Sequence, residues 1–183
     1  EAVKYAAIKD RSLWDFFEKH LHVFKKETKK FLPSEWTLVE EMIQRCLQIK
    51  AEVVMKDEQE SNFRKILNYG HTFGHVIELM SHYAVLHGEA VATGMRLAAA
   101  VAVKLRFMPS AEMEKQNALL DELGIKNVRT KGLIKDFILS MRRDKKSKLY
   151  EKSKQQMLLL QIRALHKIKS CCWAIKNKKY HKR

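Results

Sequence analysis

Three histidines lie close together in the middle of the sequence, on a segment that also carries an arginine, an asparagine and a glutamate. The residues concerned, spaced 4, 3, 4, 3 and 4 positions apart, are Arg64, Asn68, His71, His75, Glu78 and His82. In an α-helix this spacing places all six side chains within an arc of ~80°, so they form one polar stripe. Solvent-exposed faces are more often filled with Lys and Glu, which favour the helix. The stripe therefore indicates a site, with an ordinary wet surface as the alternative.

The histidine spacing suits a bound metal ion. His71 and His75 stand at i and i+4, so one helical face could present both imidazoles to a single cation. The glutamate that a zinc-protease helix carries directly after its first histidine is absent, because position 72 is Thr72. A further histidine, His87, precedes Gly88 and Glu89. Spacing alone nominates His71 with His75 and leaves open whether His87 folds back to join them.

The elements that position these residues are predicted to be helices. The stripe belongs to a helix predicted over residues 61–81, whose opposite side carries Ile66, Gly70, Phe73, Gly74 and Ile77. The two glycines on that side allow another helix to approach closely. Residues 88–108 are alanine-rich and apolar nearly all round, which predicts a buried central helix.

The flanking segments also follow helical patterns. Residues 1–32 are predicted to form a helix that Pro33 breaks. Thr37 and Glu40 resemble a capping box, which predicts that the next helix starts there and runs to about Lys56. On that helix Lys50 shares a face with apolar residues, so it must either snorkel or meet an anion. The apolar residues of this face are Val39, Met42, Ile43, Cys46 and Val53.

Towards the C-terminus the helical patterns become shorter. Pro109-Ser110 is predicted to start a helix that Gly124 caps. Residues 133–141 form a short amphipathic stretch and residues 157–160 a short apolar run. With six glycines and two prolines in 183 residues, the composition favours a mainly α, helical-bundle fold.

Charge and composition exclude several classes of protein. Of the net charge of +15, residues 142–183 carry +13, from 15 Lys and Arg against 2 Asp and Glu. A nucleic-acid surface spread over the body of the protein is therefore not indicated, although the basic tail could contact RNA, DNA or acidic lipid. Three cysteines are too few for a secreted disulfide framework, which favours the cytoplasm. No run of 18 apolar residues exists, so we expect no membrane span.

The sequence around the histidines resembles 3-dehydroquinate synthase. The matching blocks run in order from residue 1 to about residue 160, and the final basic segment shows no such likeness. The blocks are Glu1-Ala2-Val3-Lys4-Tyr5, Lys50-Ala51-Glu52-Val53-Val54, Asp57-Glu58-Gln59-Glu60, Arg64-Lys65-Ile66-Leu67-Asn68-Tyr69-Gly70-His71-Thr72-Phe73-Gly74-His75, Leu86-His87-Gly88-Glu89-Ala90-Val91 and Asp144-Lys145-Lys146. The resemblance implies one helical domain over residues 1–160, followed by a basic tail over residues 161–183.

The resemblance also implies an activity and a site. The family is a carbon–oxygen lyase of the shikimate pathway, which converts 3-deoxy-D-arabino-heptulosonate 7-phosphate to 3-dehydroquinate and phosphate with NAD and a divalent metal, zinc or cobalt. Carried over by motif, the metal ligands are Glu1, His71 and His87, and His75 is not a ligand. The resemblance also implies substrate-binding residues, which are Lys4, Lys50, Arg64, Asn68, His75 and one of Lys145 or Lys146. Of the two late lysines, Lys146 is the predicted one. Arg64 and Lys50 would hold the carboxylate, and the others would lie toward the phosphate.

The resemblance covers one half of a two-domain family. No strand–Gly-rich loop–helix unit occurs, so the N-terminal NAD-binding α/β domain is expected to be absent and the chain inactive alone. The family is usually dimeric, which implies a homodimer. A related sugar-phosphate cyclase and a metal-dependent polyol dehydrogenase are the enzymatic alternatives. The non-catalytic alternative is a remnant that binds partners or nucleic acid through its basic tail.

Overall fold

The computed structural model describes residues 1–25 and 31–128, and in those ranges the chain forms helices without a strand. This confirms the mainly α fold. The amphipathic stretch 133–141, the apolar run 157–160, Lys146 and the basic tail lie outside the described residues. The elements are α1 (Ala2–Ile8), α2 (Arg11–Lys19), α3 (Leu21–Phe24), α4 (Pro33–Lys56), a 3-10 helix (Phe63–Asn68), α5 (His71–Met80), α6 (His87–Lys104) and α7 (Ser110–Glu122). None of these helices is long and apolar enough to cross a membrane.

Helices α5 and α6 pack against each other through glycines, as the glycine spacing predicts. A Cβ added at Gly74 would lie 3.1 Å from the Val91 Cα, and one added at Gly70 would lie 2.6 Å from the Val91 carbonyl oxygen. From the α6 side, a Cβ on Gly94 would overlap the Gly70 carbonyl group. The two backbones therefore touch directly, and this contact fixes the start of α5 against α6.

Helix α6 is the buried central helix that its composition predicts. Ala90, Val91, Met95, Ala98 and Ala99 are all buried, and α6 contacts both α5 and α7. The core continues to α1 and α2 through large buried side chains. Helix α7 begins after Pro109 as predicted, and Gly124, at φ 71°, ends it with a hydrogen bond from its N–H to the Asp121 carbonyl.

The prediction of a single helix over residues 1–32 was wrong. Among the described residues, 1–25 form three short helices, because the chain turns after α1 and Asp10 caps α2. Its carboxylate accepts hydrogen bonds from the N–H groups of Ser12 (2.8 Å) and Leu13 (3.1 Å), which is a favourable N-cap arrangement. Asp10 also accepts from Arg45 of α4 at 3.0 Å, so the turn is tied to the long helix.

The predicted start of α4 was also wrong, whereas its predicted apolar face packs on the core except at Ile43. The helix begins at Pro33, a residue favoured at the first helical position, and the Glu35 side chain accepts from the Leu32 N–H at 2.7 Å. The predicted pair Thr37 and Glu40 therefore lies inside the helix. The buried α4 positions include Val39, Ile49 and Val53. Lys50 and Ile43 are exposed, because α4 packs on α1 and on the 3-10 helix with a face rotated away from them.

A buried polar network joins the start of α5 to α6 and α7. The Tyr69 hydroxyl donates to the Gln116 Oε1 at 2.7 Å, and the Gln116 Nε2 donates to the Met95 carbonyl at 3.2 Å. Tyr69 is 1% exposed, and burial raises the pKa of its phenol, so it is a neutral donor at any ordinary pH.

We expect Tyr69→Phe to destabilise the protein by roughly 1–3 kcal/mol, because the buried Gln116 oxygen would lose its donor. Urea unfolding measures the change. Tyr83→Phe is the matched control, since Tyr83 is 72% exposed and its change should stay within about 0.5 kcal/mol. Equal stability of wild type and Tyr69→Phe would show that the network is not fixing α7.

Candidate metal centre

One carboxylate and two imidazoles from three different elements meet at one place. Glu1 precedes α1, His71 is the first residue of α5, and His87 is the first residue of α6. The Glu1 Oε1 lies 3.1 Å from the His71 Nε2 and 3.6 Å from the His87 Nε2. The packing of α5 on α6 sets the separation of the two histidine rings, whose centroids are 5.4 Å apart.

The second oxygen of the Glu1 carboxylate is held by a lysine. The Lys4 Nζ donates to the Glu1 Oε2 at 2.6 Å, and Lys4 is 3% exposed. Burial alone would raise the pKa of the Glu1 carboxyl, but its contact with His71 and the hydrogen bond and positive charge of Lys4 hold it well below its usual range. Glu1 is therefore an anion over the physiological pH range, which suits a cation ligand.

The far nitrogen of each histidine ring faces a hydrogen-bond acceptor. The His71 Nδ1 lies 3.3 Å from the Tyr69 carbonyl oxygen, and the His87 Nδ1 lies 2.9 Å from the Glu78 Oε1. Because a carbonyl and a carboxylate can only accept, both Nδ1 atoms must donate. In the neutral rings the lone pair then sits on Nε2, the nitrogen that faces Glu1. Metal-binding histidines are oriented by this type of contact.

The donor set fits a divalent metal of the zinc type. The ligand atoms of Glu1, His71 and His87 all lie within 4.8 Å of one another. Ligands bound at ~2.0–2.1 Å in a tetrahedron are about 3.4 Å apart, close to the observed oxygen–nitrogen distances. Two imidazoles and one carboxylate are a donor set typical of catalytic zinc sites, which keep a fourth position open.

His75 stands beside this group without joining it. Its ring centroid lies 5.6 Å from that of His71 and 6.4 Å from that of His87, and the side chain is exposed one turn along α5. Spacing alone had suggested His71 and His75 as the metal ligands. In the structure, His71 instead lies with His87 and Glu1. The turn over residues 81–86 brings His87 back to α5, and spacing could not reveal that reversal.

The predicted continuous helix over residues 61–81 was wrong, and so was its six-residue stripe. Gly70 has φ 80° and separates the 3-10 helix, which carries Arg64 and Asn68, from α5. His82 lies beyond the end of α5 at φ 51° and is exposed. Within the helix only His71, His75 and Glu78 keep the predicted spacing. The break arises because the Gly70 backbone must turn to let Gly94 approach.

Arg64 and Asn68 are held on the acidic side of the 3-10 helix. The Arg64 guanidinium donates to the Glu58 carbonyl at 3.0 Å, and the Asn68 amide donates to the Glu60 Oε1 at 3.0 Å. Among the described contacts, no hydrogen bond or ion pair links these two side chains to the Glu1 cluster. Lys50 is exposed on α4, and Lys146 is outside the described residues.

Asp57 anchors the turn that leads to the 3-10 helix. Its carboxylate accepts from the N–H groups of Arg64 (2.9 Å), Asn62 (2.8 Å) and Ser61 (2.8 Å). These hydrogen bonds, with that of Arg64 the largest contribution, hold the pKa of Asp57 well below its usual range. The ionised form therefore stabilises the folded state more than the protonated form does.

We expect the stability advantage of wild type over Asp57→Asn to depend on pH. A depressed folded-state pKa gives stability that is complete above the unfolded value, about 3.9, and is lost as the pH falls toward the folded value. Urea unfolding should show a large difference in the free energy of unfolding between wild type and Asp57→Asn at pH 6. That difference should be smaller at pH 3. Asp15→Asn is the control, because the hydrogen bond described for Asp15 comes from the exposed Arg11 side chain. An equal difference at both pH values would contradict the stabilisation of the fold by the ionised Asp57 carboxylate.

Glu78 contacts the candidate metal centre, and the site prediction left it out. It was a member of the polar stripe, but its contact with the His87 Nδ1 depends on the turn between α5 and α6. Its side chain is 14% exposed, whereas the His87 side chain that it contacts is 49% exposed. The sequence does hold one indication of this role: Glu78 follows His75 by one helical turn and shares a helix face with His71.

We expect Glu78→Gln to weaken zinc binding about 10-fold and Glu78→Ala up to about 100-fold, because outer partners of metal-bound histidines contribute this much. The glutamine keeps an acceptor but loses the charge. Zinc titration against a competing chelator measures both constants. Glu114→Gln, an exposed glutamate of α7, is the control. Unchanged affinity in Glu78→Ala would mean that His87 needs no support or binds no metal.

Comparisons with a family model and with curated proteins point to the same family. The model of the "3-dehydroquinate synthase C-terminal" family matches residues 1–147. Among curated proteins, the 3-dehydroquinate synthase of Colwellia psychrerythraea is 38% identical over 149 residues, which cover 80% of this chain and 40% of that protein. The corresponding protein of Nostoc sp. is 39% identical over 81% of this chain and 40% of its own length. The chain thus spans about 40% of the length of these relatives.

Two solved structures share the fold. A 2-deoxy-scyllo-inosose synthase is 28% identical with a TM-score of 0.54, over 68% of this chain and 38% of its own. A 2-epi-5-epi-valiolone synthase from Streptomyces hygroscopicus, solved with NAD+ and Zn2+ bound, has a TM-score of 0.61. It is 20% identical over 79% of this chain and 39% of its own, so that likeness concerns the fold alone.

Proposed function

Because the chain belongs to the family of 3-dehydroquinate synthase C-terminal domains, we propose that it supplies the metal- and substrate-binding part of a 3-dehydroquinate synthase. The observation that carries the proposal is the meeting of Glu1, His71 and His87 at distances that suit one divalent cation. The family is metal- and NAD-dependent, and we propose zinc or cobalt as the metal of this chain. The whole reaction, release of phosphate from 3-deoxy-D-arabino-heptulosonate 7-phosphate with closure to 3-dehydroquinate, is part of the proposal.

The chain's own residues would divide the work at this site. Glu1, His71 and His87 would hold the metal, which when bound acts as a Lewis acid toward substrate hydroxyls and a carbonyl. Lys4 would keep Glu1 oriented through its 2.6 Å hydrogen bond. The buried position of Lys4 favours this positioning role, because its charge is already compensated by Glu1.

The remaining predicted residues would bind the two charged ends of the substrate. We propose Arg64 and Lys50 for the carboxylate, since a guanidinium pairs with it in a fork. Asn68, His75 and Lys146 would bind the phosphate. His75 supports this assignment by its place, exposed and one turn from the metal ligand His71. The described residues, which are helical, offer no nucleotide-binding strand and loop, so no step through NAD is derived on them.

Assembly and cellular context complete the proposal. We propose that residues 1–160 form one domain with a basic tail at residues 161–183, that the working protein is a homodimer, and that it acts in the cytoplasm. Nucleic-acid binding is proposed only for the tail, whose charge is concentrated within it.

The proposal can be tested by restoring the rest of the family protein. The chain would replace the matching C-terminal 40% of the Colwellia psychrerythraea enzyme, and the hybrid would be assayed for phosphate release and 3-dehydroquinate formation. We expect activity that requires added zinc or cobalt and is lost in His87→Ala. A folded, metal-loaded hybrid that forms no 3-dehydroquinate would reject the proposal.

A related sugar-phosphate cyclase is the second candidate, favoured by the shared fold of the two solved synthases. The curated relatives are closer to this chain in sequence and are 3-dehydroquinate synthases. The same hybrid separates the two functions. Turnover of a sugar phosphate that lacks a carboxylate, in preference to the carboxylated substrate, would favour the cyclase.

A further inference from the structure

The orientation of the His71 ring depends on one backbone carbonyl, that of Tyr69. The His71 Nδ1 lies 3.3 Å from this oxygen, whereas His87 is oriented by the carboxylate of Glu78. Hydrogen bonds from N–H to oxygen are mostly about 2.7–3.2 Å long, and a contact of about 3.6 Å no longer counts as one. A small displacement of the Tyr69 carbonyl would therefore release the ring.

A turn over Tyr69 and Gly70 aims this carbonyl at the histidine. Tyr69 has φ −57° and ψ 125°, and Gly70 has φ 80° and ψ −26°. These are the backbone angles of a type II turn, which needs a positive φ at its second central residue. The Gly70 half of the turn packs directly on the backbone of Gly94 in α6. The Tyr69 half is held through its ring, which reaches α6 and α7.

The far end of the Tyr69 ring is held by one side chain of α7, that of Gln116. The Tyr69 hydroxyl donates to the Gln116 Oε1 at 2.7 Å, and the Gln116 Nε2 donates to the Met95 carbonyl oxygen at 3.2 Å. Gln116 is 4% exposed and Tyr69 is 1% exposed, so solvent does not readily replace a lost partner. Without the amide, the hydroxyl keeps the Met95 carbonyl oxygen, which lies 3.4 Å away. The ring would then move toward α6.

We propose that Gln116 is a positioning residue of the metal centre, which acts on His71 through Tyr69. The Gln116 amide holds the tyrosine ring, and the ring keeps the Tyr69 backbone in place. The Tyr69 carbonyl then holds His71 with its Nε2 directed at Glu1, at 3.1 Å. Outer partners orient metal-binding histidines in this way. The inference rests on the proposed metal centre and extends it to α7.

A purely structural role for Gln116 predicts a different outcome. Loss of the amide would then lower the stability of the fold, because a buried donor is left without its acceptor. The zinc affinity of the molecules that remain folded would not change. Zinc binding and the state of the His71 Nδ1–H group, both measured on folded protein, separate the two roles.

Gln116→Met tests the proposal in the full chain, because methionine is an unbranched helix former without the amide. We expect zinc affinity, measured against a competing chelator, to fall by about 3- to 10-fold, at or below the smallest loss typical of a direct outer partner. In the zinc-loaded protein, NMR should show the His71 Nδ1–H proton exchanging several-fold faster with solvent. Thermal unfolding is measured first to show that the variant is folded.

Leu119→Ala is the matched control on the same helix. Leu119 is 2% exposed, so its truncation destabilises α7 without removing any of these hydrogen bonds. Zinc affinity and Nδ1–H exchange should both stay at their wild-type values. Equal changes in folded Leu119→Ala and Gln116→Met would overturn the proposal, because any loosening of α7 would then have the same effect.

Tyr69→Phe breaks the same connection from the other side and keeps the proposal testable if Gln116→Met does not fold. It should weaken zinc binding to a similar extent. The double variant should bind zinc no more weakly than the weaker single variant, because both changes remove one shared interaction. Additive losses, or wild-type zinc affinity and Nδ1–H exchange in a folded single variant, overturn the proposal.

The failure of this inference differs from the failure of the proposed function. Zinc binding by the wild type that neither variant alters overturns the role of Gln116 and leaves the metal centre standing. A folded wild-type chain that binds no zinc contradicts the metal centre itself, and the role of Gln116 with it.

Discussion

Replacing His71 or His87 with alanine is expected to weaken zinc binding by more than about 100-fold. Loss of an outer partner already costs roughly 10–100-fold, and these changes remove a ligand itself. In each variant the cation would keep one imidazole and Glu1, a set too small for a stable zinc site. Isothermal titration with a competing chelator measures the affinity, and circular dichroism checks that the helices remain.

Two further variants make this experiment selective. His22→Ala is the control for loss of an exposed histidine, and it should leave the zinc affinity unchanged. His75→Ala separates the geometry from the spacing-based hypothesis. If His71 and His75 formed the site, His75→Ala would abolish binding and His87→Ala would not. We expect the reverse, because the Glu1 Oε1 lies near the Nε2 atoms of His71 and His87.

The largest stability effect is expected for Gly94→Ala. The new methyl group would overlap the Gly70 carbonyl group and come within 2.9 Å of the Gly74 nitrogen. Both are backbone atoms of the segment that leads into α5, so they cannot rotate away as a side chain would. We expect a loss of at least about 3 kcal/mol in the free energy of unfolding, at the upper end for overpacking. Urea unfolding would measure it.

Gly88→Ala is the matched control on the same helix. A Cβ at Gly88 meets no atom within 4 Å, and alanine favours the helix over glycine by up to about 1 kcal/mol. The two changes should therefore move stability in opposite directions. A folded Gly94→Ala variant as stable as wild type would show that α5 and α6 do not pack through their backbones.

The helices that the sequence predicted best are those whose signals are local. Helix α6 is apolar nearly all round, and α7 starts after Pro109 and ends at Gly124, so neither depends on distant contacts. Glycine spacing also predicted the close approach of α5, because Gly70 and Gly74 leave no side chain between the backbones.

The errors arose where tertiary contacts override the local pattern. Helical spacing continues through Gly70, but the approach of Gly94 and the left-handed turn of Gly70 split the predicted helix in two. On α4, spacing correctly predicted the burial of Val39 and Val53, but Ile43, which fits the same stripe, is exposed, and Ile49 is buried beside α1.

In the candidate site, too, the local features could be predicted and those that depend on tertiary contacts could not. Spacing could propose histidines as ligands, but choosing His87 over His75 requires knowing that the chain turns back after α5. The resemblance to 3-dehydroquinate synthase suggested Glu1, His71 and His87, and the structure brings these three residues together. The orienting contacts from Glu78 and the Tyr69 carbonyl depend on the folded turn and were not predicted.

The most direct test of the metal centre is long-range 1H–15N NMR of the histidine rings during a zinc titration. We predict that one equivalent of zinc shifts the Nε2 resonances of His71 and His87 while their Nδ1 atoms stay protonated and the His75 ring keeps the pattern of an unligated imidazole. Zinc bound through the His75 ring in place of His87, or no ring shifted at one equivalent, would contradict the assignment of Glu1, His71 and His87 as one site.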